Sequence, residues 1–178
     1  RGSYDQESYH GCADALSRLH QPVHYVVEVV RTAPLKLLIM TIDRLIMGFK
    51  SFRETYYEGQ PDFFRSLVEK GQNPDIMVIA CSDSRVNPSI ITNVGPGEVF
   101  IVRNVANLVP PFEPDSNYHG TSAAIEFAVR DLNVGHIIVL GHSHCGGIRW
   151  LCEGHEDGKK RRFLDGWMSI VEQARNEK

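Results

Sequence analysis

Ile76-Met77-Val78-Ile79-Ala80-Cys81-Ser82-Asp83-Ser84-Arg85 and His136-Ile137-Ile138-Val139-Leu140-Gly141-His142-Ser143-His144-Cys145-Gly146-Gly147 decide the reading of this chain. In each, an apolar run gives way abruptly to small and polar residues, the pattern of a buried parallel strand entering a loop. Two such strands in one sheet would deliver Cys81, His142 and Cys145 to the same sheet edge, where α/β folds place their chemistry. Two thiols and an imidazole make a three-donor set that suits zinc and leaves a fourth position free. Taken singly, each donor has an ordinary alternative, since a Cys at a strand end is more often a small buried hydrophobe. Their convergence beside Gly146 and Gly147 favours ligation. The two glycines either allow tight helix packing or let backbone approach the metal closely.

A length of 178 residues fits one domain with a sizeable core. A net charge of -3 gives no reason to expect nucleic acid or an anionic membrane as partner. Cys12, Cys81, Cys145 and Cys152 are too sparse for a disulfide framework, and a cytoplasmic location is expected because donor thiols must stay reduced. The most apolar stretch, 37–47, is interrupted by Asp43 and Arg44 and is too short for a membrane span. The acids Asp5, Glu7 and Asp14 argue against a transit peptide. The chain opens on Arg1 rather than Met, and Met40 offers an alternative start. Residues 1–35 are therefore expected to be an unassigned N-terminal extension, and residues 36–178 the zinc domain.

Leu38, Ile42, Leu45, Phe49 and Phe52 recur at three and four residues and predict an amphipathic helix over 37–57. Its stripe is either core or interface. Pro61 opens a second helix over 62–70, which Gly71 ends. Strands are expected at 75–81, 98–103 and 135–140. Between and after them come a turn or short helix at 87–92, a helix near 119–132, another from Gly147, and one near 164–176. This alternation predicts an α/β fold, a central, mostly parallel sheet flanked by helices, with an N-terminal helical arm. Gly95-Pro96-Gly97 precedes a strand rather than a helix and is not a phosphate loop. Lys159-Lys160-Arg161-Arg162 reads as a solvated loop.

At these residues the chain resembles the β-class carbonic anhydrases, in their plant-like branch. That family's pattern is Cys-x-Asp-x-Arg, then His-x-x-Cys-Gly-Gly, and here His142 follows Cys81 by 61 positions. The resemblance covers about 71–167 and includes Gly95-Pro96-Gly97-Glu98, Val102-Arg103-Asn104-Val105-Ala106-Asn107 and Gly120-Thr121-Ser122-Ala123-Ala124. A lone Cys-x-Asp-x-Arg would be a weak signal, whereas these joint matches are specific.

The resemblance implies one Zn²⁺ per subunit on Cys81, His142 and Cys145. It also implies reversible hydration of carbon dioxide to bicarbonate and a proton by zinc-bound hydroxide. The enzyme would be a homodimer or higher homo-oligomer, with both subunits contributing to each pocket. Arg85 would hold the Asp83 carboxylate off the metal, where it accepts a hydrogen bond from the zinc-bound nucleophile. Without Arg85, Asp83 would swing in as a fourth ligand and close the site. The plain alternative for this pair is a structural salt bridge.

Gln72 takes the place of a residue that orients bicarbonate, and Phe100, Val105, Phe127 and Gly146 fall at the substrate pocket. Phe127 replaces the Tyr of many plant-like members and removes a hydroxyl. Val78 stands where members with an inhibitory bicarbonate pocket carry Trp, so no such pocket is expected. His144 is expected not to be a ligand, with proton transfer near the exit as an alternative role, and His119, His136 and His155 are read as structural or surface residues. The family commonly continues with more helix and an edge strand, so a shortened C-terminus is expected. Two other functions fit the same motif: hydrolysis of carbon disulfide or carbonyl sulfide, and a catalytically impaired zinc-binding relative. Intact Gln72, Asp83 and Arg85 favour catalysis.

Overall fold

The computed structural model describes residues 35–115, 118–154 and 158–176, with side chains from residue 42 onward. The expected extension at 1–35 and His155 thus lie outside the described residues, apart from the backbone of Leu35. The chain divides into two units, Arg1–Arg53 and Glu54–Lys178.

In the first unit, helix α1 (Leu35–Phe52) ends in a wider single turn, Arg53–Tyr57, that runs into the second unit. The predicted helix therefore ends its regular part five residues early. Of its apolar stripe, Ile42, Phe49 and Phe52 are half-buried while Leu45 is exposed. Among the described residues no helix is long and apolar enough to cross a membrane.

The second unit begins its regular structure with α2 (Pro61–Lys70), which Pro61 opens and Gly71 ends at φ 69°. A residue with a Cβ resists that conformation. Then follow β1 (Ile76–Cys81), α3 (Pro88–Thr92), β2 (Val99–Asn104) and a 3₁₀ turn, Val105–Asn107. Asn87 caps α3, its side-chain oxygen accepting from the Ser89 N–H at 3.1 Å. The chain continues through α4 (Gly120–Arg130), β3 (His136–Leu140) and α5 (Gly146–Glu153). The single helix expected near 164–176 is instead α6 (Leu164–Met168), a 3₁₀ turn (Ser169–Val171) and α7 (Glu172–Asn176).

The strands form one parallel sheet in the order β2-β1-β3. β1 is central because every residue of its run is apolar and can be buried on both faces. Met77, Ile79 and Ala80 have at most 1% of their surface exposed. Met77 and Ile79 pack with Ala128 of α4, and Phe100 and Val102 of β2 close around them. A second cluster gathers at the carboxyl end of the sheet, where Cys81, Ala106, Leu108, Cys145 and Met168 pack with Trp150, Leu151 and Trp167.

β3 departs from expectation. Its run predicts a buried strand, yet Ile137, Ile138 and Val139 are 45%, 46% and 51% exposed. Among the described residues β3 pairs with β1 alone, and it lacks the cover that Ala128 of α4 gives Phe100 and Val102 of the other outer strand, β2. β1 and β3 should therefore differ in mutational cost. Ile79→Ala is expected to destabilise the chain by about 2–5 kcal/mol, as a buried large-to-small change does. Ile138→Ala should cost about 1 kcal/mol or less. Urea denaturation of both variants checks this, and equal costs would contradict the placement of β3 at an edge.

Candidate metal centre

Parallel strands end together, so the residues after β1, β2 and β3 meet at one edge of the sheet. In register, Cys81 pairs with Asn104 of β2, and Leu140 pairs with the neighbouring Ala80. Two residues beyond Leu140 the chain presents His142, and at the start of α5 it presents Cys145. The donor atoms of Cys81, His142 and Cys145 all lie within 4.8 Å of one another. They are the only group of three or more potential ligands so close among the described residues.

The two sulfurs are 3.9 Å apart and both cysteines are buried and free. That distance is far too long for a disulfide, which needs about 2.05 Å. It matches the roughly 3.8 Å expected between two thiolates on one tetrahedral zinc, given a zinc–sulfur bond of about 2.3 Å. His142 supplies the third direction. Its Nδ1 lies 2.9 Å from the Ser143 carbonyl, a contact in which Nδ1–H donates and Nε2 is left as the lone-pair nitrogen. Nε2 is buried with no hydrogen-bond partner, an orphan that a metal ion would satisfy.

The charges favour the same arrangement. Burial opposes ionisation of Cys81, but the Asp83 N–H, at 3.4 Å from the sulfur, and the His142 imidazole outweigh it and lower the thiol pKa. The Cys81 sulfur in turn raises the His142 pKa, although its alignment with Nε2 makes no proper hydrogen bond. Both shifts favour proton transfer from the Cys81 thiol toward the His142 imidazole, and a bound cation would displace the proton the pair shares.

Asp83 and Arg85 stand beside the donors as expected. Arg85 Nε donates to Asp83 Oδ1 at 2.9 Å, and Nη2 donates to Oδ2 at 2.7 Å. The Arg85 backbone N–H adds a third bond to Oδ1 at 2.9 Å. These bonds hold the Asp83 carboxyl well below the usual carboxylate range. Arg85 Nη2 also donates to the His144 carbonyl at 3.0 Å, tying the loop after β1 to the loop that bears two donors. His144 has φ 53° and an exposed side chain outside the group formed by Cys81, His142 and Cys145.

The glycines separate in role. A Cβ on Gly147 would come within 3.0 Å of the Ala106 Cβ and 3.1 Å of Val105 Cγ1, so any side chain there would need those neighbours to yield by a few tenths of an ångström. A Cβ on Gly146 would meet nothing within 4 Å, so the space beside it is open. Val105 is 40% exposed and borders a cavity of about 1080 Å³ shared with His119, Thr121 and Trp167. None of the three donors lines that cavity.

The other residues expected at a substrate pocket lie elsewhere in this single chain. Phe100 and Phe127 touch, with ring centroids 5.8 Å apart. Phe100 precedes Asn104 by four residues, so it lies roughly 13 Å back from the metal end of the sheet. Gln72 is exposed just after α2. Sequence reasoning also passed over Asn104 and Trp167. Asn104 exchanges two 2.8 Å hydrogen bonds with the Leu108 backbone, and Trp167 Nε1 donates to the Val105 carbonyl at 2.7 Å. Only the shared block 102–107 could have signalled Asn104, and nothing signalled Trp167.

A family model described as carbonic anhydrase matches residues 76–178. The chain is 42% identical over 137 residues to beta carbonic anhydrase 3 of Arabidopsis thaliana, covering 76% of this chain and 52% of that one. It is 39% identical over 132 residues to a carbonic anhydrase of Synechococcus elongatus, covering 74% and 47%. The chain thus spans about half the length of these curated relatives. Among solved structures, the β-carbonic anhydrase CcaA superposes with a TM-score of 0.69 at 38% identity, over 77% of this chain and 60% of that one. A tetrameric β-carbonic anhydrase of Sordaria macrospora gives 0.66 at 35% identity, over 78% and 66%. The parallel sheet, its helices and these matches agree: the chain belongs to the β-class carbonic anhydrase family.

Proposed function

We propose that this chain carries the metal site of an enzyme that reversibly hydrates carbon dioxide to bicarbonate and a proton. The observation that carries the reading is the Cys81–His142–Cys145 triangle standing beside a carboxylate already held on both oxygens by Arg85. A binding module would need the triangle alone. The names of the similar proteins support the same reaction.

Zinc is the ion that fits two thiolates and an imidazole, and when bound it would supply Lewis acidity that turns a water molecule into a nucleophile near neutral pH. Cys81 and Cys145 would hold it with their sulfurs and His142 with Nε2, the nitrogen left free by the Ser143 carbonyl. Asp83 is an ionised, acceptor-only group, so it would orient the attacking O–H and take up its hydrogen bond. Arg85 restrains Asp83 from turning toward the donors. The open space beside Gly146 would give room for the bicarbonate product.

Gln72, Phe100 and Phe127 would then serve the pocket of a second copy, since within one chain Phe100 and Phe127 sit back along the sheet. A homodimer, or an assembly built from it, is the proposed working form, and the tetrameric neighbour supports it.

Three outcomes are expected. Zinc-loaded protein should hydrate carbon dioxide in stopped flow far above buffer, with a rate that rises from mildly acidic to mildly alkaline pH. Two thiolates leave the site less acidifying than an all-histidine one, whose water has a pKa of about 7. Cys145→Ala should lose both zinc, by elemental analysis, and turnover; a pH-independent rate, or one that survives this change, would sink the reading.

Arg85→Ala should lower turnover by about 10- to 100-fold, the usual cost of removing a residue that orients a metal site. Because Arg85 depresses the Asp83 pKa, their pairing persists above the unfolded value of about 3.9 and is lost only as pH falls through the lower folded value. The Asp83 titration, followed by carboxyl NMR, should accordingly move up in Arg85→Ala. Unchanged turnover, or an unmoved midpoint, would count against the restraining role.

A further inference from the structure

We propose that Arg103 is a positioning residue of this site: its guanidinium fixes the backbone of residues 81–86 in the shape that lets Arg85 hold the Asp83 carboxylate. Arg103 lies on β2 opposite Ala80, one residue short of the pair formed by Cys81 and Asn104. Its Nε donates to the Cys81 carbonyl at 2.9 Å. Its Nη2 donates to the carbonyls of Asp83 at 2.8 Å and Val86 at 2.9 Å. One planar group thus joins the carbonyl of a metal donor, the carbonyl of the restrained carboxylate residue, and the carbonyl that follows the turn.

The loop needs such a clamp. Ser82, Asp83 and Ser84 are short polar residues with no apolar side chain to bury. Two other backbone contacts pin the segment, Ser82 N–H to the Asn104 carbonyl at 2.8 Å and Val86 N–H to the Asp83 carbonyl at 3.1 Å. The Arg85 side chain is 62% exposed and the Asp83 side chain 16%, so only the carboxylate end of the pair is sheltered from water. A partly exposed ion pair contributes little by itself. Its geometry must come from the backbone beneath it, which Arg103 bonds at three carbonyls. No carboxylate among the described residues pairs with Arg103, so its donors are committed to this backbone.

Lysine cannot replace it. A single ammonium is a point donor on a flexible stem, whereas the guanidinium presents its N–H groups at fixed angles. The effect on turnover rests on the proposed function; the effect on the loop does not.

The test compares Arg103→Lys and Arg103→Gln with the wild-type chain. In the variants, amide hydrogen exchange at residues 82–86 should quicken by more than about tenfold while β1 stays protected. With zinc bound, kcat for carbon dioxide hydration should fall by about 10- to 100-fold at nearly constant KM. Combining Arg103→Lys with Arg85→Ala should cost no more than Arg85→Ala alone, because both act through Asp83. Wild-type exchange at 82–86 in both variants, or additive losses, would overturn the proposal. If the wild-type chain proves inactive toward carbon dioxide, the exchange comparison still decides it. Should both variants unfold, wild-type NMR decides instead: the Arg103 Nε–H must be protected from exchange, and a freely exchanging one would overturn the clamp.

Discussion

Two buried sulfurs 3.9 Å apart and not joined in a disulfide, with an unsatisfied imidazole nitrogen beside them, are the constraint on which the rest of the structure depends. Buried polar atoms without partners are costly, and two neighbouring thiolates would repel. A divalent cation removes both penalties at once. The sheet brings three donors from the ends of two strands to one point. β1 supplies a buried, immovable base for Cys81, and the register of β3 on β1 sets where His142 and Cys145 can reach. Gly147 lets α5 settle against Ala106 and Val105 and so fixes the approach of Cys145.

A second level of order surrounds the donors. Arg85 bonds Asp83 and also the His144 carbonyl, so one side chain couples the loop after β1 to the loop after β3. Backbone strain collects at the same edge, with Ala106, Asn107 and His144 at φ 65°, 47° and 53°. Such conformations persist only where surrounding contacts over-determine them. Here the Asn104–Leu108 hydrogen bonds and the Trp167 indole supply those contacts around the turn after β2. The strain is therefore explained by what the edge has to hold.

How much of this was legible in the sequence depends on the kind of contact involved. The apolar runs at 76–81 and 136–140 revealed two strands, because a strand buried on both faces leaves an unbroken hydrophobic signature. Cys81, His142 and Cys145 were legible because the loops after two parallel strands must meet. Asp83 and Arg85 could be read as neighbours from their spacing. Arg103 and Trp167 could not, since their partners are backbone carbonyls, which carry no residue identity. Phe100 and Phe127 touch each other within one chain, although Phe127 is 42% exposed. Their place at a pocket came from family resemblance, never from periodicity. The C-terminal helix was misjudged as continuous because its apolar residues kept helical spacing through a 3₁₀ turn that pattern alone does not register.

β3 shows where pattern and position disagree. Its Ile137-Ile138-Val139 run is written for an interior strand, but among the described residues it pairs with β1 alone and its side chains are about half exposed. An edge strand paired on one side opens more readily than a central one, because fewer hydrogen bonds and contacts must break. Two of the three donors hang from the loop that follows it, whereas Cys81 hangs from β1. The donor group is thus anchored unequally, with Cys81 fixed by the core and His142 and Cys145 steadied by α5, by Arg85 through His144, and by one ladder of hydrogen bonds. Whatever covers the outer side of β3 would rigidify two donors at once. Equally, a metal held by all three would tie β3 back to β1, so that edge stability and metal affinity reinforce each other.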